Sequence, residues 1–434
     1  MHGLFRGRNF LSSTRPLYYA SRVLGLAPFS FTGKFAVKGK GTAWMLYTVV
    51  ILIVVFSCSI MCTVQRVQQS GLLVPVVVNE FLMIFLGTLA AFSSILISIT
   101  RNGVKSRNIV SKIIKIDEAV LNDSNTTYIK MFIFTLIQVT VVYSYAAVLF
   151  TYDTLIWTEA VPKVSIWYFI SGYPHRFVNL EVVVEFCDLV LVLRSRLKSL
   201  NSRLDFILRK SNEPYANAFA FTSALCNSVS TSCVKENEIR VSEIKGDKIV
   251  PFIESPGSIN RLRPPRFETS RQRNIRIARE LYDDLCDVSL LINSMYGFQI
   301  LLALGATTVE LTLSSYLVLE TIRGNHAVEV DSVGKFISLM TAWLFLYAFK
   351  LISITAPCQS TTSEVENTVM LVQKLLLARF DPNTTAELQL FSQQLFHRKM
   401  KFTAFGFIKL NYSLLLTIIG GVITYVVIAM QYNK

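Results

Sequence analysis

The chain carries little charge for its length. Of 434 residues, 17% are charged and 52% are apolar, and the mean hydropathy is +0.45. A soluble domain carries about 25% charge, so a water-facing globule of this size would lack the polar surface to cover itself. Catalytic signatures are missing as well. The four histidines, His2, His175, His326 and His397, stand far apart, and no HExxH, GxSxG or phosphate-loop pattern occurs. No enzyme and no cofactor are expected. The seven cysteines form no paired CxxC cluster, which argues against a zinc site. The first 43 residues hold seven Lys or Arg and no acid, but no apolar stretch ending in a small-residue cleavage site. They read as an uncleaved basic leader.

What the chain does have is long apolar runs. A membrane span needs about 20 mostly apolar residues to cross roughly 30 Å of hydrocarbon. Seven runs qualify: Trp44–Val64, then about 81–100, 131–151, 166–193, 288–319 and 336–356, and finally Asn411–Gln431. The fourth is interrupted by Pro174, Arg176, Glu181, Glu185 and Asp188. The fold class expected is an all-α membrane protein with seven transmembrane helices and long cytosolic helical extensions.

Orientation follows from the basic residues. With the N-terminus inside, the cytosolic segments are 1–43, 101–130, 194–287 and 357–401, and they hold 35 of the 43 Lys and Arg. Basic residues resist translocation, so the N-terminus is expected in the cytosol and, after seven spans, the C-terminus outside. No cysteine then falls in an outer loop, and no disulfide framework is expected. The same topology accounts for the net charge of +14, and nucleic acid is not an expected partner; membrane lipids are. The chain divides into an N-terminal cytosolic segment (1–43), spans one to four with their inner extension (44–210), a polar linker read as disordered (211–270), spans five and six (271–356), a cytosolic helical and pre-pore segment (357–408) and a last helix (409–434). The amphipathic stretches flanking the linker and following span six either pack as one layer or lie separately on lipid headgroups.

The last span is the most informative. Thr417, Gly420, Thr424, Val427 and Gln431 recur every three or four residues, which sets small and polar groups along one stripe of an otherwise apolar helix. Such a stripe faces protein or water, because unsatisfied polar groups in lipid are costly. Two readings fit: close packing against another helix, or the lining of a pore enclosed by several copies around an axis.

The chain ends Thr424-Tyr425-Val426-Val427-Ile428-Ala429-Met430-Gln431-Tyr432. This resembles the TYhhhhhQF signature, with h hydrophobic, that closes the insect gustatory receptor family; Tyr432 stands where the family usually has Phe. The preceding FTAFGFIKL, residues 402–410, resembles the family's pre-pore region. The resemblance implies a chemosensory receptor of sensory-neuron plasma membranes, similar to insect odorant receptors. Such receptors are homo- or hetero-tetrameric ligand-gated channels passing cations without strong selectivity. It implies that the last span lines the pore, with Gln431 at the outer constriction beside Tyr432, and Thr424 and Tyr425 lower on the helix. The ligand would be a small tastant, a sugar or a bitter plant compound.

Candidates for contacting that tastant are Trp167 and Tyr168 at the start of span four, Glu310 and Tyr316 in span five, and Trp343 and Tyr347 in span six. Trp343 and Tyr347 lie one helical turn apart, so their rings can share a face. Trp167 fits equally an interfacial anchor. Glu310 is an acid deep in a span, which needs water or a partner. Two other functional classes span membranes this way: a receptor coupled to G proteins, which would place its N-terminus outside and carry DRY and NPxxY motifs, and a secondary transporter, which would show paired broken helices.

Overall fold

The structure, a computed structural model, describes residues 10–27, 30–32, 36–38, 42–68, 74–120, 124–160, 166–230, 270–324 and 333–432. Two short helices, α1 (Phe10–Ser13) and α2 (Arg15–Val23), open the chain, followed by a hairpin of β1 (Ser30–Thr32) and β2 (Ala36–Lys38). Next come α3 (Thr42–Gln68) and α4 (Val74–Ile97), which passes through a π-helical turn at Ser98–Asn102 into α5 (Gly103–Val120). The remaining elements are α6 (Ser124–Ala160), α7 (Ile166–Ser171), α8 (Pro174–Ser230), α9 (Ser270–Ile322), α10 (Val333–Leu377), α11 (Pro382–His397), a hairpin of β3 (Thr403–Ala404) and β4 (Ile408–Lys409), and α12 (Tyr412–Tyr432).

Six helices, α3, α4, α6, α9, α10 and α12, are long and apolar enough to cross a membrane. The run at 166–193 corrects the expectation of one continuous span. It breaks into α7 and α8, because Pro174 has no backbone N–H and a fixed φ, which suit the first residue of a new helix better than the interior of an old one. The acids of α8 turn inward: Glu181 is 0% exposed, and α8 packs against α4, α9 and α10 at the centre of the bundle. The expected linker is corrected too. Ala216, Ala218, Ala220, Ala224 and Leu225 are strong helix formers, and α8 continues through them to Ser230; residues 231–269 lie outside the described residues. The N-terminal segment is folded onto the bundle from Phe10 onward, burying Phe10, Leu11, Leu17 and Leu26.

At about 1.5 Å per residue, α8, α9 and α10, of 57, 53 and 45 residues, exceed the hydrocarbon thickness at least twofold. Their extensions meet α5 and α11 in a charged layer. Arg196 forms two hydrogen bonds with Asp117 at 2.8 and 2.9 Å, and Tyr128 donates to the same carboxylate at 2.7 Å. Lys112 reaches Asp284 and Asp287, Arg398 reaches Asp283 and Asp287, and Arg276 reaches Glu387. Asp381 caps α11 by accepting from the Thr384 backbone and hydroxyl, and these hydrogen bonds hold its carboxyl below the ordinary range.

The link into α12 is held by α9. Tyr282 donates to the Arg398 carbonyl at 3.0 Å and Asn293 to the Lys401 carbonyl at 2.6 Å. The β3–β4 turn places Phe405 and Gly406 at φ 52° and 81°, and it rests on Gly297, where a Cβ would meet the Phe405 nitrogen at 2.9 Å. Only glycine allows this approach of two backbones. Gly297→Ala is therefore expected to destabilise the fold by about 1–3 kcal/mol, read as a lower melting temperature of the purified protein. An unchanged melting temperature would show that the hairpin does not sit on α9.

Candidate functional site

Two groups of residues stand out. The first lies between α6, α8, α9 and α10. Trp343 and Tyr347 stack with ring centroids 5.6 Å apart, and Trp343 stacks in turn on Phe150 at 5.5 Å. The Arg176 guanidinium sits 4.6 Å from the centre of the Trp343 ring and donates to the Tyr347 hydroxyl at 3.0 Å. Glu310 lies 3.6 Å from Arg176 and 3.4 Å from Lys350. Asp153 accepts from the Trp343 indole at 3.1 Å and from the Tyr173 hydroxyl at 2.8 Å. Two acids and two bases thus balance inside a wall of aromatic rings. Each charge is affordable there only because the others are present.

The second group is α12. Leu415, Ile418, Val422 and Val426 turn towards the chain, with Val426 4% exposed, and α12 packs on α9 and α10. At about 100° per residue, Thr417, Gly420, Thr424, Val427 and Gln431 fall on the opposite side, and all five are exposed. A Cβ on Gly420 would meet nothing within 4 Å, so among the described residues this glycine does not serve close packing. Thr417 and Thr424 donate to the carbonyls of Ser413 and Gly420, which leaves their oxygens' remaining acceptor capacity on the open side. At the far end of the helix, Arg323, just after α9, donates to the Met430 carbonyl at 3.3 Å, a favourable place for a cation.

A family model described as "7tm Chemosensory receptor" matches residues 14–434. The chain belongs to the 7tm chemosensory receptor family. Among curated relatives, gustatory receptor 28b of Drosophila melanogaster is 28% identical over 161 residues, 37% of this chain and 34% of that protein. Gustatory receptor 68a of the same fly is 26% identical over 173 residues, 38% of this chain and 43% of that protein. The matched stretch spans less than half the length of each relative. The fold is that of the insect olfactory receptor OR5 from Machilis hrabei, with a TM-score of 0.64 at 11% identity, covering 97% of this chain and 98% of that one. The same receptor in complex with eugenol gives 0.63 at 12% identity, covering 96% and 97%.

This receptor brings Glu310, Trp343 and Tyr347 together, as charge cost and helical spacing suggested. Tyr316 lies on α9 with Glu310, half-buried against the apolar cluster that holds Trp343 and Tyr347. Trp167 is 68% exposed on α7 and contributes nothing to the group, which fits an interfacial anchor; the side chain of Tyr168 lies outside the described residues. On α12, Tyr425 is exposed but points well away from the Thr424 side of the helix, and the Tyr432 side chain lies outside the described residues. Sequence reasoning missed Arg176, Lys350, Asp153, Phe150 and Tyr173. Arg176 and Lys350 carried a signal, since a base within or beside an apolar run needs an acid, and Glu310 was the deep acid available. Glu310→Ala strands both bases in a buried site and is expected to cost about 3–5 kcal/mol, read as a lower melting temperature that Lys350→Met partly restores. Equal melting temperatures of wild type and Glu310→Ala would contradict this pairing.

Proposed function

We propose that this receptor is a gustatory, ligand-gated, non-selective cation channel of sensory-neuron plasma membranes, a homo- or hetero-tetramer with its N-terminus inside. The observation that carries the reading is the stripe of α12: small and polar, diametrically opposite the helix's buried face, and covered by nothing among the described residues. Only 11% of the apolar stretch of α12 is buried in the subunit, against 56% for α9, which leaves its open side free to face sister subunits. Four copies around an axis would turn Thr417, Gly420, Thr424, Val427 and Gln431 towards permeating cations. Exposed apolar side chains in the charged layer support assembly as well. Leu377, Phe396, Phe405 and Phe407 are 58–87% exposed in a region where such groups call for cover.

The tastant would bind at the aromatic cluster. OR5 forms a complex with eugenol, a small molecule, and the cluster here offers ring faces with a few charged groups, which suit a planar plant compound or a sugar. Its rings are already occupied by Arg176, so a ligand must displace that guanidinium or settle beside it. Either event alters the hold on Glu310. Glu310 lies on α9, the helix that carries the α12 hairpin at Gly297 and meets the end of α12 at Arg323. Ligand binding then favours opening by the difference in its affinity for the two states.

Gln431 ends the stripe and is the candidate gate. In oocytes, Gln431→Ala is expected to shift the basal open–closed ratio by about tenfold, the scale of one hydrogen bond lost from the ring in one state. Unchanged basal and evoked currents at matched surface expression would refute the gate role. Currents that vanish when G-protein signalling is blocked would refute the channel reading, as would saturable solute uptake without current.

A further inference from the structure

Helix α2 points one buried serine, Ser21, at the acids of α8. Its hydroxyl oxygen lies 2.8 Å from the Leu17 carbonyl oxygen and 2.6 Å from Glu181 Oε1. Two oxygens approach this closely only with a hydrogen between them, so the two contacts need two protons. A serine hydroxyl has one. Tyr143 does not supply the other, because its hydroxyl donates to the second oxygen of Glu181, Oε2, at 2.6 Å. Nor does Tyr296, which donates to Glu185 at 3.0 Å. The missing proton belongs to Glu181 itself, a carboxylic acid that donates to Ser21 while Ser21 donates to Leu17.

The surroundings agree with a neutral Glu181. Glu185 follows one turn along α8 and Asp188 a turn further, and like charges so close disfavour joint ionisation. Among the described residues no base offsets them. Arg176 and Lys350 are drawn to Glu310, Arg22 to Tyr18 and Trp44, and His175 lies against Gly87. The neighbouring α4 carries no Lys, Arg or His. A route for the proton is present as well. A cavity of about 100 Å³ between α2, α5, α8 and α9 is lined by Ser21, Glu185 and Tyr296, with room for roughly three waters. We propose that Glu181 holds a proton that fastens α2 to the bundle, and that α2 loosens when rising pH removes it. Without that proton Ser21 has one hydrogen for two acceptors, and a bare carboxylate is left beside two other acids. The docked helix binds one proton more than the released one, whose Glu181 is wetted and ionised at neutral pH. Release therefore grows as pH rises, by up to about tenfold per pH unit.

The test compares full-length protein in nanodiscs with Glu181→Gln, whose amide donates to Ser21 at any pH. In infrared difference spectra at neutral pH, the variant is expected to lack one protonated-carboxyl stretch, identified by its shift in heavy water. Hydrogen exchange of residues 15–23 is then followed against pH and corrected for the intrinsic pH dependence of amide exchange. It is expected to rise by up to about tenfold per pH unit in wild type and to stay flat in Glu181→Gln. Loss of ionised-carboxylate bands in place of the protonated one, or a slope that survives Glu181→Gln, would overturn the proposal. Should the variant not fold, a flat wild-type profile would overturn it and a rise confined to α2 would uphold it. Both readouts are taken without current, so a channel that never opens leaves this result standing.

Discussion

Inside a bilayer a polar group must find a partner or water, because leaving it bare costs several kcal/mol. Two sets of hydrophilic residues in this chain show that constraint at work. Glu310, Arg176, Lys350 and Asp153 are turned inward and matched with one another and with tyrosine and tryptophan donors. The stripe of α12 is turned outward: its threonines donate only to carbonyls of their own helix, and none of the other described elements covers it. The first set holds the helices in one arrangement. In the channel reading proposed above, other copies and a column of water complete the second.

The two sets share α9. Its buried face runs from Tyr282 through Tyr296 and Glu310 to Leu317, so the ionic cluster sits on one continuous helical rod. That rod carries the α12 hairpin on Gly297, and just beyond its end Arg323 holds the Met430 carbonyl. Coupling of this kind needs a two-state element that both sites bias. In the channel reading proposed above, that element is the packing of α12 on α9 and α10, the side on which Val422 and Val426 turn towards the chain. Arg176 gives the cluster a natural pair of positions, since its guanidinium serves both the Trp343 face and Glu310. A ligand competing for one of these changes the balance of the other.

Much of this was legible in the residues. Helical spacing placed Trp343 beside Tyr347 and collected Thr417, Gly420, Thr424, Val427 and Gln431 on one side, because both follow from the 3.6-residue turn alone. The cost of a buried acid singled out Glu310. What spacing does not contain is which other helix supplies the partner. Asp153 on α6 and Arg176 on α8 meet Trp343 only through tertiary packing, and nothing local to either residue announces it. Pro174 marks an interruption of the fourth run in the sequence, but not that a separate helix begins there, and the helix to Ser230 is hidden because polar composition outweighs its alanines. Gly297 was invisible for a further reason: its importance lies in the hairpin of Phe405 and Gly406 that rests on it, more than a hundred positions later in the chain.

The central claim is that the open stripe of α12 faces water shared between subunits. Substituted-cysteine labelling with a charged, membrane-impermeant thiol reagent, read as loss of current, tests it most directly. Thr417→Cys and Thr424→Cys are predicted to react and lose current. Ile419→Cys is predicted to stay silent, although Ile419 is 43% exposed in the single subunit and lies off the stripe. Labelling of Ile419→Cys with Thr417→Cys and Thr424→Cys inert would place the polar stripe against protein or lipid and contradict the account.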